Sequence, residues 1–318
     1  MTKLMEPLQP NLKQHPVFFD MDGAIDDMIG LLTLMALDNC KLTGIALTNA
    51  NCFSECAVTQ IQRIIGLFGQ HDLQVAISNA EPVNQFPEKW RAKSRLLSKL
   101  ALGPDDESQL GSISKMEAAQ FTAEKILEQD ENTTVVLTGP ATNLINAIRL
   151  YPAVLQKIDR VVWMAGAFLA NGNVIAPDHD GSAEWNVFWD PASARDLLRT
   201  GVKIVLFPLD VCCQVSVDNY LLYHLRENSH FRLSQLVCDM LEIAQNNHPE
   251  YCMWDVLPCL FVGYPDIVRL SNTSIDIEMR GTSMGNMFKT SKGAPVHFAS
   301  FVDDDKFYNC FIELMKKF

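Results

Sequence analysis

Four aspartates lie within eight residues near the start of the chain, at positions 20, 22, 26 and 27. They follow the apolar residues Val17 to Phe19 and lead into an apolar stretch with helical spacing. Carboxylates packed this closely repel one another unless a cation or shared protons compensate for the charge. Calcium and magnesium prefer oxygen ligands of this kind. The cluster therefore predicts a divalent-cation site, although aspartates at a helix N-terminus can also serve the helix dipole alone.

Three polar stretches carry most of the remaining chemistry: 78–112, 168–186 and 244–255. They are rich in Pro, Gly, Asn, Asp and Ser, and they contain tryptophan and histidine as well. Long loops in a compact domain are usually either functional or disordered, and tryptophan favours the functional interpretation. Trp90 and Trp254 could be ordinary core aromatics, but their polar surroundings favour contact with a ligand.

The predicted elements that position the aspartates and the polar stretches are apolar strands that alternate with amphipathic helices. The strands are predicted at 17–19, 42–47, 133–137, 161–164 and 202–207, and the helices at 25–37, 54–68, 142–150 and 191–198. Strands that are apolar throughout indicate a mostly parallel sheet with helices on both faces, which is a doubly wound α/β fold. Ligands of such sheets bind beyond the carboxyl ends of the strands, where the polar motifs fall. Neither a linker nor an internal repeat is evident, so we expect one domain over 1–318.

Composition restricts the class of ligand. Of the 318 residues, 48% are hydrophobic, which is enough to bury a core, and the net charge is −12. This acidity argues against nucleic acid or an anionic membrane as the main partner. The nine cysteines have no zinc-ligand spacing, and most lie in apolar segments as buried thiols would. The N-terminus has no apolar signal segment, so we expect a cytoplasmic protein.

Two enzyme families use an aspartate cluster of this form. Haloacid-dehalogenase-type phosphatases carry D-x-D-G-[TV], and Asp20 would then be the nucleophile; however, Ala24 replaces the hydroxyl or branched residue, and the later phosphatase motifs are not evident. Nucleoside hydrolases carry D-x-D-x-x-x-D-D, to which Asp20, Asp22, Asp26 and Asp27 all conform. A non-catalytic nucleoside or ribose sensor on the same fold is a third interpretation.

The motifs that follow resemble those of nucleoside hydrolases and occur in the family order from 17 to 262. They are Thr48-Asn49-Ala50-Asn51, Thr138-Gly139-Pro140-Ala141-Thr142-Asn143, Met164-Ala165-Gly166-Ala167, Gly172-Asn173, Ala183-Glu184-Trp185-Asn186 and Trp254-Asp255. Three features resemble the purine-specific, inosine-adenosine-guanosine-preferring branch. They are the tryptophan before the last aspartate, the segment Asn84-Gln85-Phe86-Pro87-Glu88-Lys89-Trp90-Arg91 and the segment from Asp180 to Ala194.

The resemblance implies a Rossmann-like nucleoside hydrolase fold and a calcium-dependent hydrolase that releases free purine base from ribonucleosides, for purine salvage. It also implies a homodimer. The metal and ribose site would come from 20–27, 51, 138, 164–186 and 255, and the base site from the loops 78–112 and 244–255. Calcium would bind Asp22, Asp27, the Thr138 carbonyl oxygen and Asp255, and Asp22 would also be the catalytic base.

The remaining roles follow from the same resemblance. The ribose would contact Asp26, Asn51, Met164, Asn173, Glu184 and Asn186, and the base would contact Trp90, Trp185 and Trp254. Asp20 would orient a neighbouring ligand, and an extended backbone would place Glu184 and Asn186 on one face. The loop before Trp254 would be a lid, in which His248 is a candidate proton donor. Ala24 and Asn51 depart from the residues usual in the purine-specific branch.

Overall fold

The computed structural model describes residues 13–100, 102–104, 106–169 and 171–317. Within them ten strands form one sheet in the order β4-β3-β2-β1-β5-β6-β7-β10-β8-β9. The strands are β1 His15–Met21, β2 Cys40–Leu47, β3 Gln74–Ile77, β4 Ser112–Ile113, β5 Thr133–Leu137, β6 Ile158–Met164, β7 Ile204–Phe207, β8 Val268–Ile277, β9 Met287–Lys289 and β10 Ala294–Val302. Strands β1 to β7 and β10 pair in parallel, and β8 and β9 are antiparallel additions at one edge.

Helices cover both faces of the sheet. They are α1 Ile25–Ala36, α2 Ser54–Leu67, α3 Glu88–Arg91, α4 Ala118–Leu127, α5 Thr142–Leu150, α6 Val154–Lys157, α7 Trp185–Trp189, α8 Pro191–Arg199, α9 Leu209–Cys212, α10 Asn219–Glu227, α11 Arg232–Asn247, α12 Val256–Gly263 and α13 Asp304–Leu314. Short 3-10 helices span Ala92–Lys99, Glu107–Gln109, Pro265–Ile267 and Gly281–Ser283.

The central strands are buried on both faces, as their apolar sequences require. In β1, Val17 and Phe19 join the core beneath α1, whereas Phe18 faces the opposite core beneath α4 and α5. Side chains of a strand alternate between the faces, so a strand covered on both sides must be apolar throughout. The predicted doubly wound, mostly parallel sheet is confirmed.

The nine predicted strands and helices are all present, with ends that differ by a few residues. Two of the predicted loops contain more regular structure than expected. Helix α11 continues to Asn247 because Ala244 is buried against the core and the side chain of Gln245 donates to the Val217 carbonyl oxygen at 3.0 Å. The stretch 78–112 contains α3 and the 3-10 helix Ala92–Lys99.

Some predictions concern residues that are not described. The N-terminal residues 1–12, where the sequence predicts no signal segment, lie outside the described part, and so do 101, 105 and 170 in the predicted loops. Among the described residues, no helix combines the length and apolar character needed to cross a bilayer. The nine cysteines are free thiols and most of them are buried, as the sequence predicts.

Candidate active site

The turn between β1 and α1 brings the aspartate cluster to the carboxyl edge of the sheet. Gly23 has a φ of +81°, a left-handed conformation that residues with a Cβ rarely adopt, and an added Cβ would lie 2.7 Å from the Cys52 sulfur. The turn is closed by Asp27, whose Oδ2 accepts a hydrogen bond from the Ala24 backbone at 2.8 Å. Asp26 and Asp27 thus occupy the first turn of α1, where the helix dipole favours negative charge.

Three carboxylates from distant parts of the chain converge at this edge. Oxygens of Asp26, Asp27 and Asp255 all lie within 4.8 Å of one another, and Asp255 precedes α12. Asp22 lies beside this group, near enough to Asp27 for the charge of Asp27 to raise the pKa of Asp22. The predicted ligands Asp22, Asp27 and Asp255 are therefore neighbours, and Asp26, which the sequence assigns to the ribose, lies among them.

The end of β5 supplies further oxygens. The Thr138 hydroxyl donates to Asp27 Oδ1 at 2.5 Å, and the Thr138 carbonyl oxygen accepts from Asn186 Nδ2 at 3.1 Å. Gly139 follows closely, and a Cβ there would lie 2.9 Å from the Asp22 Cβ. The turn after β5 can therefore approach β1 only because this residue is glycine.

Glu184 and Asn186 are both buried at the cavity, but the predicted extended backbone between them is wrong. Glu184 is the N-cap of α7: its Oε1 accepts from the Asn186 backbone at 2.9 Å and its Oε2 from the Gly166 backbone at 3.2 Å. A side chain that caps a helix in this way directs the next residues into the first helical turn. The Asn186 amide nitrogen then donates to the carbonyl oxygens of Thr138 and Met164.

Burial dominates the electrostatics of the cluster. It raises the pKa of Asp22 and Asp255 well above their ordinary value, and the charges of Asp27 and Asp26, respectively, add to the shift. Burial likewise raises the pKa of Asp27 and of Glu184 to about 7. It also raises the pKa of Asp26, against the hydrogen bond from Tyr251. A bound cation would remove much of this unfavourable crowding of charge.

Asp20 does not have the position that a nucleophile needs. It is fully buried, its Oδ1 accepts from Asn143 Nδ2 at 3.0 Å, and it is not among the described residues that line the cavity. Its Oδ2 has no hydrogen-bond partner, and burial raises its pKa to about 8. The phosphatase interpretation, which requires Asp20 to attack the substrate, is therefore not supported.

An aromatic wall forms one side of the cavity. Trp185 stacks on Phe86 with ring centroids 4.8 Å apart, and Trp90 and Trp185 meet in an edge-to-face arrangement with centroids 6.0 Å apart. The loop that carries Trp90 is anchored by Arg91, which donates to Asn49 Oδ1 at 2.9 Å and to the Cys52 carbonyl oxygen at 3.1 Å. These bonds give a structural reason for the arginine that follows the tryptophan.

A second aromatic group stands at the other side, after α11. The Trp254 ring packs edge-to-face against Tyr251 and His248, with ring centroids 4.9 Å and 6.0 Å away, respectively. The Trp254 indole nitrogen donates to the Cys213 sulfur at 3.3 Å. His248 is exposed at the end of α11, so the predicted proton donor lies at the rim.

The two walls and the carboxylates enclose a cavity of about 160 Å³. Of the predicted site residues, only Asp20 and Asp27, which are both fully buried, are not among the described residues that line it. The predicted residues that line it are Asp22, Asp26, Asn51, Trp90, Thr138, Met164, Asn173, Glu184, Trp185, Asn186, His248, Trp254 and Asp255.

Two titratable lining residues, Lys93 and Tyr251, are not among the residues that the sequence predicts for the site. Tyr251 is buried, and its hydroxyl donates to Asp26 Oδ1 at 2.8 Å. Lys93 is half-buried three residues after Trp90, and burial lowers the pKa of its ammonium group. A lysine three residues beyond a tryptophan that was already assigned to the base is a signal that could have identified Lys93.

Comparison with known proteins agrees with this geometry. The family model of inosine-uridine preferring nucleoside hydrolases matches residues 17–309. The crystal structure of an inosine-uridine preferring nucleoside hydrolase from Bacillus anthracis is similar with a TM-score of 0.90 and 32% identity, over 95% of this chain and 99% of the other. A probable uridine nucleosidase 2 from Oryza sativa subsp. japonica is 25% identical over 86% of this chain and 81% of its own length.

A purine-preferring ribonucleoside hydrolase from Gardnerella vaginalis has the same fold, with a TM-score of 0.77 over 95% of this chain and 98% of the other, at 21% identity. Among these similar proteins, one is named for uridine and another for purines. The predicted purine preference therefore stays a prediction.

Proposed function

Because the chain belongs to the family of inosine-uridine preferring nucleoside hydrolases and is an enzyme of that kind, we propose that it is a calcium-dependent purine nucleosidase. Water and a purine ribonucleoside would give ribose and free base. The observation that carries this proposal is a buried group of carboxylates at the floor of a cavity with aromatic walls.

The donor set fits a hard divalent cation. Asp22, Asp26, Asp27 and Asp255 offer only oxygen, as does the Thr138 carbonyl group, and calcium accepts six to eight such ligands. Among the described residues no lysine or arginine forms an ion pair with these carboxylates. When bound, calcium would hold the ribose hydroxyls and make a nearby water more acidic.

Asp22 is proposed to move the proton of the attacking water. It lines the cavity, and its neighbour Asp27 is held by the Thr138 hydroxyl and the Ala24 backbone. The Asp22 carboxylate, beside this fixed neighbour, would take a proton while the water oxygen bonds to C1′ of the sugar. Asp20 would orient the turn after β1, and with it Asp22, through its hydrogen bond with Asn143.

The ribose is proposed to lie between the carboxylates and the start of α7. Asn186 uses its amide nitrogen on two carbonyl oxygens, so its Oδ1 stays available to a sugar hydroxyl. Asn173 accepts from the Trp185 backbone at 3.0 Å and keeps its amide nitrogen for the sugar. Sites of this kind reject an analogue that lacks a hydroxyl, because a buried group then loses its partner.

The base is proposed to lie between the aromatic walls that carry Trp90 and Trp254, which belong to separate ring clusters on the same cavity. Two tryptophans provide apolar faces on either side of a planar base. The larger purine ring would make fuller use of these faces than a pyrimidine, which supports the purine preference.

Product chromatography tests the proposal directly. The protein is incubated with inosine, adenosine, guanosine or uridine, with calcium or with a chelator. We expect free purine base from the first three, little uracil from uridine, and no product in chelator. Faster cleavage of uridine would refute the purine preference, and turnover in chelator would refute the metal requirement. Binding of nucleoside without any product would indicate the sensor interpretation.

A variant tests the assigned base. Asp22→Ala should abolish turnover of inosine, and the circular dichroism spectrum should stay that of the native fold. A near-normal rate would refute the role of Asp22. The homodimer and the cytoplasmic location stay predictions, and sedimentation equilibrium would test the first.

A further inference from the structure

The departing base needs a proton, and the cavity contains a group that could supply it. When the bond between C1′ and the base nitrogen breaks, its electron pair stays on the base. A positioned acid that protonates a ring nitrogen at that moment commonly contributes 10²–10⁴-fold to such rates. Of the lining residues the carboxylates belong to the floor, and the Tyr251 hydroxyl is already bonded to Asp26.

Lys93 lies on the wall that would face the base. Helix α3 carries Trp90 and continues directly into the 3-10 helix Ala92–Lys99, which carries Lys93. Side chains three residues apart lie on one side of such a helix, and both of these line the cavity. Lys89, one turn earlier, is exposed and is not among the described lining residues.

The N–H donors of the Lys93 ammonium group have no hydrogen-bond partner among the described residues. No described residue forms an ion pair with this group either, although the charge of Asp26 acts on it from a distance. An ammonium group has three N–H donors, and a half-buried one without partners can direct them at a ligand in the cavity. Partial burial lowers its pKa towards the range where proton transfer is efficient.

We propose that Lys93 is the general acid for the departing base. Its Nζ gives a proton to a ring nitrogen of the base as the C1′–N bond breaks, and the lysine becomes a neutral amine. The water hydroxyl bonds to C1′ and the other water proton goes to Asp22, so the products are neutral ribose and neutral base. Lys93 regains its proton from solvent and Asp22 loses its own. This inference rests on the proposed hydrolase activity.

Other titratable groups surround Lys93 and enter its pH dependence. Lys89 lies on the same helical segment as Lys93, and the repulsion between the two positive charges lowers the pKa of Lys93. The titratable residues on the remaining cavity walls are Asp22 and Asp26 near α1, Glu184 before α7, and His248, Tyr251 and Asp255 between α11 and α12. His248 is the competing donor from the sequence analysis, and it is more exposed than Lys93.

Steady-state kinetics of Lys93→Met, with Lys89→Met as the matched control, tests the proposal. The substrates are inosine, uridine and 4-nitrophenyl riboside, whose phenolate leaves without a proton. We expect kcat of Lys93→Met to fall roughly 100-fold on the faster nucleoside, whereas the nitrophenyl riboside is cleaved at a rate within about twofold of wild type. The basic limb of the pH profile should disappear as well. Lys89→Met should keep the wild-type rates and the basic limb, which should only move to higher pH because Lys93 loses a repelling charge.

Each alternative gives a different result. Equal losses on both kinds of substrate would show that Lys93 only balances charge, and a rise in KM alone would show simple contact with the base; either refutes the acid. Lys93→Arg should not restore the rate, because a guanidinium group stays protonated. A loss in His248→Ala with none in Lys93→Met would assign the role to His248. If wild-type protein cleaves the nitrophenyl riboside but no nucleoside, the proposed function itself is wrong.

Discussion

Removal of divalent cations should make the stability of this protein fall as the pH rises. Asp27 is fully buried, and its pKa is raised from 3.8 to about 7 in the folded state. An acid with a raised pKa binds protons more tightly in the folded chain, so its protonated form favours folding. That contribution is present at low pH and is lost as the pH rises through about 7.

The size of the effect follows from the same shift. One such group changes the free energy of unfolding by about 1.4 kcal/mol per pH unit, so Asp27 accounts for about 2 kcal/mol between about pH 5.5 and about pH 7. For a chain of 318 residues, with an unfolding entropy of about 2.1 cal/mol/K per residue, that corresponds to a fall in Tm of roughly 3 °C. Asp20 and Glu184 have raised pKa values and act in the same direction. Asp180, whose pKa is lowered to about 2, titrates below this range.

Thermal unfolding in chelator between about pH 5.5 and about pH 8 measures the effect. Asp27→Asn should reduce the slope of the free energy of unfolding against pH by up to about 1.4 kcal/mol per pH unit, the equivalent of one proton. Asp130→Asn, at an exposed position, should leave that slope unchanged. Saturating calcium should raise Tm most at high pH, because the ligands must be deprotonated to bind it. A Tm in chelator that stays constant or rises with pH would refute the reasoning, and so would an unchanged slope in Asp27→Asn.

Three further changes test the remaining parts of the site. Trp254→Ala should lower kcat on inosine about tenfold, the equivalent of one cation–π contact, and should spare 4-nitrophenyl riboside; equal losses on both would count against a stacking role. 2′-Deoxyinosine should be cleaved with a kcat/KM at least roughly 100-fold below that of inosine, because groups such as Asn186 lose a partner; similar values would contradict the assigned ribose contacts. Tyr251→Phe removes the donor to Asp26 at 2.8 Å and should lower the free energy of unfolding by about 2 kcal/mol at about pH 8, and by less at lower pH, as measured by denaturant titration in chelator.

The sequence predicts the centre of the fold well because the central strands are covered on both faces. The stretches that become β1, β2 and β5 are almost continuously apolar and stand out without further information. The three strands at one end of the sheet, β8, β9 and β10, were missed because they are half-exposed and carry polar residues such as Arg269 and Ser271 among apolar ones. A criterion based on continuous apolar runs cannot find strands of that kind.

The location of the site was predictable where its residues lie in short motifs, and less so where it depends on contacts between distant segments. The spacing of the aspartates at 20–27 indicates a cation site, although it does not decide between the two enzyme families that use such a cluster. The bond between Tyr251 and Asp26 joins residues 225 positions apart, and no local pattern indicates it. The helix cap at Glu184 was missed because a residue spacing of two fits both a strand and the entry into a helix.

The separation in sequence between the parts of the carboxylate cluster has a kinetic consequence. Asp26 and Asp27 lie on the first helix, but Asp255 comes from the last third of the chain. The cluster closes only after strands with high contact order have paired, which is a late event in folding. A cation that needs all three carboxylates therefore cannot assist the early steps. It should leave the rate of refolding almost unchanged and slow the rate of unfolding, so that its benefit to the cell would be a longer lifetime of the folded protein.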